Sequence, residues 1–169
     1  MLGAIWRENL GLPDRAIGTA PDHLRRAVEL IRRSRPRAVA LPYWQDRHPD
    51  HSAAAALLKD AVFNAKLLRY QAAGEPWQVE WTCFYFINDA APESFVVDVS
   101  DHYDTKRRAL ACYRSQFGRG GTNVQTRLNS PRFNQLVESR DAQFGALAGV
   151  AFAEGIVVTE PVVREHLLK

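Results

Sequence analysis

The stretch WQDRHPDHSAAAALLKD, residues 44–60, carries two of the chain's five histidines, His48 and His51, around a Pro-Asp pair. Neutral imidazole is a good zinc ligand, and a catalytic zinc usually takes three protein ligands and keeps one position open. Asp50, between the two rings, suits either of two roles. It could orient one imidazole through its second nitrogen, or it could cap the following helix as an N-terminal carboxylate. Capping accounts for Asp50, and turn chemistry accounts for Pro49, but neither accounts for the histidines. A lone H-x-x-H spacing leaves metal binding, capping and chance composition all open.

The flanking segments say how these residues would be positioned. RAVALPY, residues 37–43, is a nearly unbroken apolar run, as expected of a parallel strand buried on both faces. After the polar loop, Ala54, Leu57, Leu58, Ala61, Val62, Ala65 and Leu68 form a wide helical stripe. With a helix start near His51, His48 lies in the loop and His51 in the first turn. Upstream, Leu24, Ala27, Val28 and Ile31 recur at helical spacing, with Thr19 as the expected cap and Pro36 as the stop. Residues 4–10 alternate and predict a short strand. VEWTCFYFI (79–87) and SFVVDV (94–99) are strand-forming. Ser100 is the expected cap of a helix whose inner face uses Leu110, Tyr113 and Phe117. GRGGTNVQTRLN (118–129) reads as a Gly-rich loop. Ser130-Pro131 opens a last helix with Phe133, Leu136, Val137, Phe144 and Leu147 on its apolar side, and GIVVTEP (155–161) predicts an edge strand.

Alternating strands and helices predict one α/β domain over residues 1–169, a Rossmann-like three-layer sandwich around a mostly parallel sheet. Ligands bind such sheets at the carboxyl ends of strands, and the loop 43–50 sits at one. The 169 residues carry a net charge of +3. Arg25, Arg26, Arg32, Arg33, Arg35, Arg37, Arg107 and Arg108 are scattered and read as solvated faces, so no nucleic-acid partner is expected. Cys83 and Cys112 read as small core residues, in keeping with a reducing cytoplasm. No apolar run has the length of a membrane span, so no membrane partner is expected.

RHPDH after an apolar strand, followed by AVFNAKL, PW, YFIND, SFVVDVS and ALACYRSQF, resembles the PIG-L/LmbE-like family of zinc-dependent N-deacetylases. VESRDAQFGALAGVAFAEGI resembles that family's last helix and turn. The match is greatest to its bacillithiol-biosynthesis branch, which acts on N-acetylglucosaminyl-malate. The resemblance implies a Zn2+ cofactor, a small-molecule N-acetylglucosaminyl substrate and a homo-oligomer, hexamers among them. It implies His51 as a zinc ligand, His48 as the group that stabilises the tetrahedral intermediate and protonates the leaving amine, Asp50 as the carboxylate that tunes His48, and Arg47 as the grip on a substrate carboxylate.

The resemblance also implies a gap. Family members begin with a strand ending in an AHPDD-type motif that supplies the other zinc ligands and the general base, and this sequence has none. The N-terminal strands are therefore expected to be missing, with the chain starting about 60 residues into the family pattern and Met1 standing at an internal methionine. On this reading the chain alone is weakly active or inactive. The alternative is a non-catalytic shortened relative that keeps a sugar-binding surface or an oligomer interface. Two further residues stand out. Arg140 falls on the apolar stripe of the last helix and needs a partner such as Asp98, or else a crevice. Asp14, in LPDR, is either a turn residue or a site residue.

Overall fold

The chain's computed structural model describes residues 3–114, 130–161 and 163. The Gly-rich loop at 118–129, and Phe117, lie outside the described residues. The chain divides into two compact units, one of Met1–Asn9 with Phe95–Gly155 and the other of Leu10–Ser94 with Ile156–Lys169.

The second unit starts with α1 (Pro21–Ser34), β1 (Ala38–Pro42), α2 (Pro49–Ala65) and β2 (Trp81–Tyr85). Pro21 suits the first turn of α1, where its missing N–H is no loss, and Asp22 there complements the helix dipole. The expected Thr19 cap is absent. Ala20 holds the N-cap position, and the Thr19 hydroxyl donates instead to the Ala16 carbonyl at 2.8 Å. Arg35 ends α1 in the left-handed region (φ 48°), its N–H bonded to Ile31 O and its guanidinium over the Trp77 ring. The apolar stripes of α1 and α2 meet in a core of Ala27, Val28, Ile31, Ala61, Ala65 and Val79. Leu68 falls beyond the end of α2 and is exposed.

β1 runs parallel to β2, with Ala38 opposite Trp81 and Pro42 opposite Tyr85. It is an edge strand, and Ala38 and Ala40 are exposed, so the expectation of burial on both faces fails. An unbroken apolar run shows that a strand is buried somewhere, not on how many sides.

In the other unit β3 (Phe95–Asp98) leads through a 3-10 turn, Ser100–His102, into α3 (Tyr103–Ala111), and α4 (Pro131–Ala148) leads into β4 (Ala153–Val157). Ser100 does not cap α3. Its hydroxyl donates to Asp98 Oδ1 at 2.6 Å and ties the turn to Phe152. Tyr103 stacks on Phe152 at 3.8 Å between ring centroids. Tyr113, expected inside, is 56% exposed, and Leu147 is exposed as well.

Tyr85 lies antiparallel to Ile156, and the strands follow the order β1-β2-β4-β3 in one open, mixed sheet. The α/β expectation is borne out, but the sheet is mixed rather than mostly parallel, since β1 pairs parallel with β2 and β2 pairs antiparallel with β4. β4 is interior rather than an edge, and no strand forms over residues 4–10.

Cys112, Arg32 and Arg140 also differ from their sequence reading. Cys83 is buried, which raises its thiol pKa, but Cys112 is exposed at the end of α3. Arg32 is 4% exposed rather than solvated. Arg140 bonds Asp141 Oδ1 at 3.2 Å, whereas Asp98 takes its bonds from Ser100. The carboxylate that matters in this unit is Asp141. It is fully buried and also bonded by Tyr103 Oη and Lys106 Nζ. Burial, then the Asp141 charge and hydrogen bond, push the Tyr103 phenol well above its ordinary pKa. Among the described residues no helix is long and apolar enough to cross a membrane.

Candidate active site

The chemistry-bearing residues of RHPDH gather at the carboxyl ends of β1 and β2. Tyr43 extends the ladder beyond β1 through its N–H to Tyr85 O at 2.9 Å. Trp44 then turns edge-on to the Phe84 ring at 4.8 Å. This aromatic anchor fixes where the loop leaves the sheet, and Asp46 follows.

Asp46 organises the loop. Its side chain is 3% exposed. Oδ1 accepts the His48 N–H at 2.8 Å, a local Asx turn, and Asn88 Nδ2 at 2.9 Å. Oδ2 accepts the Asn88 N–H at 3.0 Å. His51 Nδ1 lies 2.9 Å from Oδ1. Burial by itself would raise the Asp46 pKa. The bonds from the Asn88 side chain, the His48 and Asn88 N–H groups and His51 outweigh it and hold the carboxyl below its usual value.

α2 starts at Pro49, and its N-cap is His48, whose Nδ1 accepts the Asp50 N–H at 3.2 Å. The placement of His48 before the helix and His51 in its first turn is as the sequence predicted. Of the two roles open to Asp50, capping belongs to His48. Asp50 is instead buried in the first turn, and its Oδ2 accepts the Arg15 N–H at 2.8 Å. Arg15 presents that N–H from a left-handed backbone (φ 62°) that few non-glycine residues adopt. The Arg15 N–H bond is the main cause that lowers the Asp50 pKa. Burial opposes it, and the Asp14 carboxyl and the charges of His48 and Arg15 assist it. Asp14 thus reaches the cluster.

The His48 and His51 rings lie 4.8 Å apart, tilted by 30°. His48 is exposed and the His51 side chain is 29% exposed, so solvent reaches both. Arg47 is exposed, and its N–H bonds Asp89 Oδ2 at 2.9 Å. Two cavities, of about 480 and 630 Å3, line α3 and include none of these residues.

The sequence reading missed three members: Asp46, Asn88 and Arg15. Asp46 had a local signal, two residues before one histidine and five before the other. Asn88 and Arg15 are 37 and 35 residues from the groups they serve, His51 and Asp50, and had none.

His51 is suited to hold a metal, since one ring nitrogen is engaged by the chain and the other remains for an ion. A carboxylate behind a metal-binding histidine is the usual outer partner. Among the described residues, no three of His, Cys, Asp and Glu are placed to complete such a site.

The Asp46 carboxyl is also a titrating stabiliser. Its folded pKa lies below the ordinary 3.8, so its contribution is complete above that value and is lost as pH falls through the folded pKa. We expect Asp46→Asn to flatten the fall in stability on acidification below about pH 4, read as urea midpoints across an acid series.

No protein-family model matches the chain. Diacetylchitobiose deacetylase of Thermococcus kodakarensis is 28% identical over 137 residues, 76% of this chain and 47% of that protein. The chain therefore spans about half the length of this curated relative. A conserved protein of Thermus thermophilus superposes over 99% of this chain and 71% of its own, at 34% identity and TM-score 0.87. An N,N'-diacetylchitobiose deacetylase of Pyrococcus horikoshii, at 17% identity, superposes with TM-score 0.67 over 83% of this chain and 52% of its own. The 4-carboxy-2-hydroxymuconate hydratase of Pseudomonas putida reaches the same TM-score at 21% identity, over 89% and 65%. These last two show the fold alone, and their different activities illustrate that a fold does not carry one chemistry.

Proposed function

We propose that this chain is a member of the LmbE/PIG-L-like deacetylase family, a reading supported by its likeness to diacetylchitobiose deacetylase, and that it serves a zinc-dependent hydrolysis of the N-acetyl group of a small N-acetylglucosaminyl conjugate. N-acetylglucosaminyl-malate, the bacillithiol precursor, is the substrate we favour. One observation carries the reading: two imidazoles 4.8 Å apart at the end of β1, each with one ring nitrogen already engaged by the chain. The other two nitrogens then remain for an ion and a substrate.

Zinc, when bound, supplies a Lewis acid for the amide carbonyl and lowers the pKa of water. His51 is the residue that would hold it. His48 faces the reacting amide through Nε2, since Nδ1 is occupied by the helix cap. From there it can donate to the developing oxyanion and pass a proton to the leaving amine. Asp50 lies behind His48 and stays ionised at neutral pH, placing a negative charge beside an imidazole that must become cationic in turn. Arg47 offers a planar fork for the malate carboxylates.

Amine and acetate release from N-acetylglucosaminyl-malate and from diacetylchitobiose tests the proposal, with the chain alone and with the gene product that carries it in the cell. The chain alone should be weak, since its described residues place one metal ligand and not three. With the cellular product, His48→Ala and His51→Ala should each lower turnover by about 100-fold. Unchanged turnover in both removes the assigned roles.

A second reading, a non-catalytic relative that keeps a sugar-binding surface, is favoured by that same incomplete ligand set. It would show sugar binding with no amine release from either preparation. We also propose a cytoplasmic setting and self-association. The exposed Trp81 and Tyr85 leave apolar sheet surface for another copy to cover, and a monomer by light scattering would refute the latter.

A further inference from the structure

We infer that Asp46 is the positioning residue of this cluster: it holds the His51 hydrogen on Nδ1, so that the two neighbouring imidazoles are kept in opposite tautomers. His51 then turns a lone pair outward at Nε2, and His48 turns an N–H outward at Nε2. The inference deepens the reading above and rests on it for the metal, whereas the tautomers are a property of the chain itself.

The argument starts from hydrogen count. Both Asp46 oxygens already accept N–H donors, Oδ1 from His48 and the Asn88 amide and Oδ2 from the Asn88 backbone, so the carboxylate is the acceptor in each contact and brings no hydrogen of its own. Whatever sits 2.9 Å from Oδ1 must bring one, so His51 carries its hydrogen on Nδ1. The reverse tautomer would set two lone pairs face to face at that distance. Asn88 Nδ2 also comes within 3.3 Å of the same ring nitrogen, but it has a shorter bond to Asp46 Oδ1, at 2.9 Å. It supports the carboxylate rather than replacing it. At His48 the count runs the other way. A backbone N–H, that of Asp50, points at Nδ1, so Nδ1 must accept and the hydrogen is on Nε2.

Two like side chains, three residues apart on one helix start, are therefore differentiated by their partners. One becomes a Lewis base and the other a hydrogen-bond donor. A deacetylation site needs one of each, since an imidazole cannot bind an ion and donate to an oxyanion through one nitrogen. The same carboxylate takes both the N–H and the side-chain amide of Asn88, 42 residues away. It thus fixes the loop after β1 to the loop after β2, and the His51 ring is positioned by both strands.

The test is two-bond 15N–1H correlation of the imidazoles in the full chain, without metal, at about pH 8.5 where free imidazole is neutral. Wild type should show Nδ1–H at His51 and Nε2–H at His48. In Asp46→Ala, His51 should shift to the Nε2–H form favoured by free imidazole, with His48 unchanged. Asp46→Asn, whose amide oxygen can still accept, should restore Nδ1–H. Zinc titration followed at His51 Nε2 should weaken by about 10- to 100-fold in Asp46→Ala. Nε2–H at His51 in wild type overturns the inference, even if Asp46→Ala fails to fold. So does an unchanged His51 tautomer in Asp46→Ala. An equal zinc response at His51 Nε2 in wild type and Asp46→Ala would leave the tautomers assigned and overturn the link from Asp46 to the metal.

Discussion

Arg32→Met should lower stability by about 4 kcal/mol, a loss expected to leave much of the chain unfolded at physiological temperature. Arg32 sits in α1 with almost no solvent exposure, and its guanidinium is spent on backbone carbonyls. Nε donates to Ala65 O at 3.1 Å, at the end of α2. Nη2 donates to Leu67 O at 2.8 Å, and Nη1 to Ala72 O and Gly74 O at 2.8 and 3.2 Å. One cation thus closes the carboxyl end of a helix and folds the loop 67–74 against α1. Carbonyls at a helix end carry partial negative charge, which is why a cation suits them. Methionine matches much of the volume and none of the donors, so the acceptors are left buried without them. Denaturant midpoints measure the loss. Hydrogen exchange over residues 65–77 should rise first, and Arg32→Lys, with three donors on a point charge, should fall between the two. Wild-type stability in Arg32→Met would refute the account.

Gly145→Ala should destabilise by about 3 kcal/mol, where the same change in an ordinary helix interior stabilises by about 1 kcal/mol. Gly145 lies inside α4, and a Cβ there would stand 2.8 Å from Ala151 C, Ala151 O and Phe152 N. These are backbone atoms of the turn that leads into β4 and cannot swing aside as a side chain would. α4 and its following turn would have to separate, which disturbs the Tyr103–Phe152 stack. A fall in Tm on the order of 10 °C is expected. A rise in Tm would mean that helix propensity outweighs the close approach.

Both effects come from residues whose importance the sequence does not display. Arg32 reads as one more solvated arginine, and nothing in the sequence singles out Gly145. Their roles depend on chain 33–42 residues downstream in the first case and on a turn that folds back in the second. The candidate site divides in the same way. RHPDH at a strand end was legible, as was the split between a loop histidine and a first-turn histidine. Of the two roles open to Asp50, capping is the one its residue type favours. In the fold Asp50 is drawn inward by the Arg15 N–H, and His48 takes the vacated position. Arg140 was right in kind, as a charge with a structural carboxylate, and wrong in partner, since Asp141 is buried beside it and Asp98 is committed to Ser100.

The amino-acid sequence by itself determined the local elements around the site: α1, β1, α2, β2, and two imidazoles three residues apart at a helix start. It did so because propensity, apolar period and proline placement act over a few residues. The tertiary structure alone decided which carboxylate meets which ring, that Asn88 and Arg15 join the cluster, and that β4 is interior and antiparallel to β2. Those outcomes rest on burial and on hydrogen-bond partners tens of residues apart, and only strand pairing and helix packing bring such partners within about 3 Å of one another.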